Sequence, residues 1–572
     1  MYTLGINAAY HDPAACIVRD GVVLAAVEEE RFTHVKHGKR PVPFSTWELP
    51  YHAVDYCLAH AGIELADVDH VAYSFDPRLM LAAHGVKGTT IALPMEPSAA
   101  ASGVEPWEPL FLSYVVNAER QLVDGVPLRL EARFRRAKNE RRWRWHFVEH
   151  HVAHDASAFL AAPFDEMALM SLDGRGEVTG SSFAHFTGGE YRRLGHVALP
   201  HSLGLLYERV TDYLGFLHSS DEYKVMALAS FGKPEYVDYF RDIVVAGDDG
   251  SYTIAPARLE ERFGPARLPG APLEQWHYDL AHSLQQVLEE TVVALARWLR
   301  DATGADDLAM AGGVALNCVM NARLRDANVF RRVWVQPAAG DAGTALGAAL
   351  FTDWNERGRA RNYVMEHAFL GPEFSADEIE AFLRRSKLAY RRMHDVAEET
   401  AALLADEKIV GWFQGRMEFG PRALGARSIL ASPIPHDMQQ RLNDIKDRED
   451  FRPVAPAVLE EEAARWFRGA ARAPFMLFVF DVLPEKAARI PAVRHVDGTA
   501  RVQTVNRGQH RLYYDLLQAF ERRTGVPVLV NTSFNTRGEP VVCTPRDAIE
   551  CFWTSPLDAL AIGPFLLEKQ AR

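Results

Sequence analysis

Residues 148–158 read "VEHHVAHDASA" and place His150, His151, His154 and Asp155 within one short stretch. On a helix, residues four apart share a face, so His150 and His154 can offer two imidazoles to one ion. His151 and Asp155 then lie about 100° further round. Two imidazoles make a good divalent-metal site when a carboxylate joins them. Two candidates end apolar stretches and precede glycine: Asp173 in "SLDGRGE" and Asp341 in "PAAGDAGTALG". An aspartate so placed sits at the mouth of a cleft, and the glycines let phosphates come close to the backbone. A set of two histidines and one aspartate leaves coordination positions open, so the ion would act as Lewis acid and template.

The elements that must carry these residues follow one grammar. "YTLGINA", the polar turn "AYHDP" and "AACIVRDGVVLAAVEEERF" predict a strand, a phosphate-sized loop and a hairpin. "EMALMSLDGRGEVTGSSFAHFTGGEYRRLGHV" repeats the pattern, so two related halves are expected. Helical periodicity follows each copy, and "DLAMAGGVALNCVMNARL" then predicts a strand running into glycines. The order suggests two α/β lobes around a nucleotide cleft. Gly313 and Asn317 suit close passage of a ribose or base, Lys224 stands in "DEYKVMALASFG" before a helix ending at Gly232, and Lys36 is offered to polyphosphate. The lobes should end near residue 360, where a polar, aperiodic stretch gives way to "ADEIEAFLRRSKLAY" and a new α/β segment. Residues 75–145 read as an insertion, whose basic run "RFRRAKNERRWRW" is best taken as a solvated helix face leading into a strand.

Bulk properties agree with an enzyme of small molecules. A chain of 572 residues exceeds the roughly 250–300 at which single cores stop growing, so at least two domains are expected. A net charge of -13 disfavours a broad nucleic-acid surface. Five scattered cysteines, no signal-like N-terminus and no apolar run of roughly 18 residues point to a reducing cytoplasm, without export or membrane insertion.

The strings "HDPAACIVRDG", "AAVEEERFTHVKHG", "EHHVAHDASA", "SLDGRGE", "SLGLLYERVTDYLGF", "AGGVALNCVMN", "GDAGTALGAAL", "GPRALGARSIL", "KDREDFRPVAP", "RVQTV" and "NTSFNTRGEPVV" resemble those of the O-carbamoyltransferases of the nodulation and antibiotic-tailoring type. The resemblance spans both ends of the chain and leaves out only about 75–145. It implies an α/β protein with an N-terminal actin-like domain of duplicated ribonuclease-H-like build (1–360), similar to the tRNA threonylcarbamoyl transferase subunit. It also implies a C-terminal α/β YrdC-like domain (365–572). Carbamoyl phosphate and ATP would give carbamoyl adenylate in the C-terminal domain, and the carbamoyl group would pass to a hydroxyl in the N-terminal one, releasing AMP. The implied roles are metal ligand for His150, His154 and Asp341, nucleotide contact for Lys36, Asp173, Gly174 and Asn317, and base for His11. Iron(II) is the implied ion, although manganese and magnesium accept the same ligands. A histidine near neutral pKa is the economical base for a weakly nucleophilic hydroxyl.

In the C-terminal domain Arg422, Lys446, Arg452, Arg501 and Arg537 come from separate loops, with Ser533 and Asn535 as neutral donors. Two anionic substrates call for several cations, and arginine grips phosphate bidentately without losing its proton. Catalysis is assigned to His11, Arg452 and Lys446. The small-molecule hydroxyl acceptor is not legible. Tyr207, Glu208 and Asp221 are candidate contacts, an amino sugar favouring the carboxylates and a macrolide or ansamycin favouring Phe216. A homodimer is allowed but not required. The competing readings are a tRNA threonylcarbamoyl-type enzyme, which needs a basic RNA face, a hydrogenase-maturation carbamoyltransferase, which needs cysteine zinc fingers, and a nucleotide sensor without chemistry.

Overall fold

The computed structural model describes residues 1–38, 49–83, 112, 114–124, 142–536 and 538–569. Most of the expected insertion, its basic run and Arg537 therefore lie outside the described residues.

The protein is a mixed α/β structure. Strands β1 (Tyr2–Asn7), β2 (Ala14–Arg19), β3 (Val22–Glu28), β4 (His70–Tyr73) and β5 (Arg144–Phe147) form a sheet in the order β3-β2-β1-β4-β5. The β1–β2 and β2–β3 pairs are antiparallel, and the β1–β4 and β4–β5 pairs parallel. A second sheet uses β6 (Met167–Leu172), β7 (Thr179–Thr187), β8 (Glu190–Ala198), β11 (Asp307–Ala311) and β12 (Arg332–Val335), with a small β9–β10 hairpin (Val244–Ala246, Tyr252–Ile254) between them in sequence. Its order, β12-β11-β6-β7-β8, and its pair directions repeat those of the first sheet strand for strand. The expected duplication is thus visible as topology.

The central strands show why the sequence folds this way. β6, "MALMSL", is buried along its whole length because helices cover both faces, so it is continuously apolar rather than alternating. β8 at the edge mixes exposed and half-buried positions and carries Arg192 and Arg193, the charged dressing that keeps an edge from pairing onward. Helix Gln275–Thr303 packs on this half, with Leu280, Leu284, Leu288 and Leu295 buried at helical spacing, and it stops at Gly304 in the left-handed region.

Two helices between the sheets carry the site, His150–Phe159 and Ala342–Glu356. They approach closely because Gly347 faces the backbone of Ala153, where a Cβ would lie 1.8 Å from its carbonyl oxygen. The first six strands of the next part are β13 (Arg391–Arg392), β14 (Val410–Phe413), β15 (Arg427–Ala431), β16 (Ala455–Leu459), β17 (Val479–Asp481) and β18 (Thr499–Arg501). They are followed by β19 (Gln503–Val505), β20 (Val528–Ser533), β21 (Ala559–Ile562) and β22 (Phe565–Glu568). Eight of the ten form a mixed sheet ordered β13-β22-β21-β14-β15-β20-β16-β19, with its own core around Trp412, Tyr513 and Phe552. This part is tied to the first by Arg31 donating to the Gly420 carbonyl (3.1 Å), the Gly420 N–H donating to Glu28 (2.8 Å) and Asn321 donating to the Leu477 carbonyl (3.0 Å). Among the described residues no helix is long and apolar enough to cross a membrane.

Candidate active site

Helix His150–Phe159 begins where β5 ends, and its first turn points His150 and His154 at the ends of β6 and of the helix headed by Asp341. The two Nε2 atoms are 3.2 Å apart. His150 Nε2 lies 3.6 Å from Asp173 and 3.5 Å from Asp341, and His154 Nε2 lies 3.9 and 3.8 Å from the same carboxylates. One ligand atom from each of the four residues falls within 4.8 Å of all the others, and all four side chains are buried. The structure therefore brings together the three ligands the resemblance implied and adds Asp173, a candidate carboxylate in the sequence that the resemblance assigned to the nucleotide.

Supporting contacts orient the set. His150 Nδ1 faces the Ser74 carbonyl at 3.1 Å, so that nitrogen carries the hydrogen and Nε2 is left for the cluster. The Glu177 carboxylate accepts from the backbone N–H of His150 (2.9 Å) and of Asp76 (2.6 Å), anchoring the helix start, and burial pushes its carboxyl up to about 7. Burial disfavours an imidazolium at His150, yet Asp341 and Asp173 lift it well above the ordinary histidine value. Burial beside the charge on His150 pushes His154 down to about 3. A cation bound there would displace any proton shared across the Nε2–Nε2 contact. Asp341 Oδ1 is buried without a hydrogen-bond partner, which suits a donor set that could hold an ion. His151 contributes no ligand atom, and Asp155 is held away by Ser171 (2.5 Å), Ser182 (3.0 Å) and Tyr191 (2.7 Å).

His11 stands at the rim, with Nδ1 3.0 Å from Asp12 and Nε2 3.8 Å from Asp341. Asp12 also receives His37 Nδ1 at 2.8 Å. Burial works to raise its carboxyl, but the two imidazoles hold it well below the usual carboxylate range. Asp12 was not singled out from the sequence, although it is the next residue after the predicted base.

A second group gathers where the two parts of the chain meet. Lys446 is buried and donates to the Ser533 carbonyl (2.6 Å), Ser533 Oγ (3.2 Å) and Asn535 Oδ1 (2.6 Å). Burial together with Arg448 and Arg452 holds its ammonium well below the ordinary lysine value. Burial and Arg501 push Arg422 down to about 9, and burial and Arg452 do the same to Arg448. Arg501 is lowered by burial and by Arg452. Arg452 lies over the Tyr223 ring (4.7 Å) and 3.7 Å from Glu449. These side chains repel one another, a charge that polyanions would offset. Arg448 was missed by the sequence reading, although it sits inside "KDREDFRP". Lys36 is lowered chiefly by burial and feels Glu30, Asp221, Arg452 and Lys224, which places it beside this group.

Other expected contacts have partners within the protein. Lys224 lies inside the first turn of helix Glu222–Ala229, not ahead of it, and pairs with Asp221 (3.1 Å) and Glu449 (2.9 Å). Asn317 caps helix Cys318–Asp326 through Met320 N–H and bonds Gln285. The Gly313 N–H donates to Asp173 Oδ1 at 2.7 Å, and the Gly174 carbonyl accepts from Ser202. Tyr207 is buried against Gln285, and Glu208 faces Arg175. Gly313 begins a single turn that ends at Leu316, whose carbonyl accepts from Arg422 at 3.4 Å. That one turn connects the two groups.

Comparison with known proteins gives consistent results. Residues 2–350 match the family described as carbamoyltransferase N-terminus, and residues 401–569 match carbamoyltransferase C-terminus. An uncharacterised protein of Synechocystis is 39% identical, covering 100% of this chain and 97% of its own length. The nodulation protein NolNO of Sinorhizobium fredii is 39% identical, covering 99% of this chain and 80% of its own. Among solved structures, HypF of T. kodakarensis aligns over 63% of this chain and 48% of its own at 15% identity, with a TM-score of 0.32.

Proposed function

The chain belongs to the carbamoyltransferase family, and from that premise we propose that it is an ATP-dependent O-carbamoyltransferase acting on a small-molecule hydroxyl. In this reading residues 365–572 form a YrdC-like domain that makes carbamoyl adenylate, and residues 1–360 form an actin-like domain that transfers the carbamoyl group. The repeated five-stranded sheets support the second assignment.

The observation that carries the reading is the gathering of Arg422, Arg448, Arg501 and Lys446 around Arg452 where the two parts of the chain meet. Anions would offset the charge of such a group, and ATP with carbamoyl phosphate brings several. Water cleaves carbamoyl phosphate to carbamate and phosphate, a carbamate oxygen attacks the α-phosphorus of ATP, and pyrophosphate leaves. The arginines offset the charge shared by the two substrates and hold the carbamate in line. Lys446, fixed by Ser533 and Asn535, presents its ammonium at a set position. Keeping both steps in one chain would limit loss of the labile intermediate to water.

In the transfer step the acceptor oxygen attacks the carbamoyl carbon, the bond to AMP breaks with its electron pair going to phosphate oxygen, and His11 takes the hydroxyl proton. Asp12 behind Nδ1 orients the ring and leaves Nε2 to act as base. His150, His154, Asp173 and Asp341 would hold a divalent ion, iron(II) being the ion the resemblance implies, which supplies Lewis-acid stabilisation of phosphate oxygens when bound. The test uses hydroxylamine as a surrogate nucleophile, with carbamoyl phosphate and ATP. Hydroxyurea that forms only when ATP is present supports carbamoyl adenylate, and equal yields without ATP would overturn it.

A further inference from the structure

The first sheet carries a second group of metal-binding side chains, away from the site already described. His70 in β4 and His146 in β5 belong to neighbouring parallel strands, in which His70 pairs with Arg144 and Ala72 with His146. Residues two apart in a strand share a face, so His70 and His146 are diagonal neighbours on the same side as Ala72. Ala72 packs in one cluster with Ala348 of helix Ala342–Glu356, so this is the side that the helix covers. Glu356 ends that helix beside the two imidazoles. His70 Nδ1 and His146 Nε2 are 3.0 Å apart, and one ligand atom from each of His70, His146 and Glu356 falls within 4.8 Å of the others.

The chemistry of the three side chains suits a cation. Two nitrogens, each about 2.0–2.1 Å from a tetrahedral zinc ion, lie about 3.3 Å apart, so the observed contact needs a shift of only about 0.3 Å. A ligand imidazole must be neutral, and burial holds both His70 and His146 below the ordinary histidine value. The two facing nitrogens make a single hydrogen bond with each other, whereas an ion between them would use both lone pairs. Glu356 accepts from Arg144 at 2.6 Å, but the Arg144 side chain is 66% exposed and such a pair contributes little, so the carboxylate is free to turn to an ion. The C-terminal end of a helix also favours positive charge. Two imidazoles with one carboxylate select zinc and similar borderline ions over magnesium and calcium, which take oxygen ligands.

We propose that His70, His146 and Glu356 bind one zinc-class divalent ion, with water completing the shell, and that this ion clips β4 and the edge strand β5 to the end of helix Ala342–Glu356. The site is separate from the four-residue cluster, because Asp341 heads the helix that Glu356 ends, about 22 Å away along its axis. It acts on the same frame all the same. β5 leads into the helix that bears His150 and His154, so the ion joins the far ends of the two elements that carry the cluster. Its role is structural, holding those elements in register.

The test equilibrates the full-length protein with Zn²⁺, removes excess ion by dialysis and counts bound zinc by elemental analysis. His146→Ala is expected to bind one zinc ion fewer per chain than wild type. The difference between the two proteins is what is read, so ions held by the four-residue cluster cancel. Zinc affinity, measured by competition with a chromophoric chelator, should fall by at least about tenfold in Glu356→Gln and rise in Arg144→Gln, which releases the carboxylate. Both substitutions change exposed side chains, so they keep the test open if His146→Ala folds poorly. Zinc should also raise the melting temperature of wild type by more than that of His146→Ala. Equal zinc content in wild type and His146→Ala, or a zinc affinity that neither Glu356→Gln nor Arg144→Gln moves, would overturn the proposal.

Discussion

The Gly313 N–H donates to Asp173 Oδ1 across 2.7 Å, joining the end of one strand of the second sheet to the end of its neighbour. Asp173 thus serves the four-residue cluster and also fixes the turn whose last carbonyl receives Arg422. Asp173→Asn keeps the shape and removes the charge. It is expected to lower bound metal, read by elemental analysis, and transfer by about 10- to 100-fold, while pyrophosphate release stays near wild type. Unchanged metal content would remove Asp173 from the ligand set.

His150 and His151 adjoin in sequence and differ in task. His150→Ala should abolish metal content and transfer together. His151→Ala should keep the metal and instead change the melting temperature, because it empties a fully buried ring site. Parallel metal loss in both variants would mean that the helix face is wrongly assigned.

Division of labour can be read from single variants. His11→Ala should stop transfer and leave carbamoyl-phosphate-dependent pyrophosphate release. Arg452→Ala and Arg448→Ala should lower that release by at least about tenfold each, since each removes a charge-assisted phosphate contact. Loss of pyrophosphate release in the His11 variant would contradict two separate sites.

The cation pocket gives a pH dependence with a defined sign. The arginines keep their protons, so the titrating member is Lys446, which burial and the neighbouring Arg448 and Arg452 hold well below its ordinary value; the fold disfavours its protonated form. That penalty is fully present below the lowered folded pKa and fades as pH rises from there toward the unfolded value. Pyrophosphate, which offsets the charge, should therefore raise the melting temperature more while Lys446 is protonated and less once it has lost its proton. An increment that is flat with pH, checked by scanning fluorimetry, would contradict the charge argument.

Much of the four-residue cluster was legible because it depends on local geometry. The spacing of four between His150 and His154 fixes a shared helical face, and Asp173 directly follows an apolar strand and precedes glycine, although the structure buries both it and Asp341. Which aspartates converge is a matter of tertiary structure. Asp173 follows β6 and Asp341 heads the helix after β12, and nothing in either string says that both reach one point. The cations show the same limit more sharply. Lys224 looked available for phosphate, but its partner Glu449 is more than 200 residues away. Arg448 was overlooked because the chain reverses at Asp447, whose φ of 41° turns the next side chain inward, a feature that composition does not reveal. The repeated sheet order was readable because strand, turn and hairpin recur in the same sequence order.

The most direct measurement is pyrophosphate release from ATP by the purified wild-type protein, with and without carbamoyl phosphate and with no acceptor present. Release that appears only with carbamoyl phosphate is the predicted result. Release that is absent, or equal without carbamoyl phosphate, would contradict carbamoyl adenylate formation and the two-site account built on it.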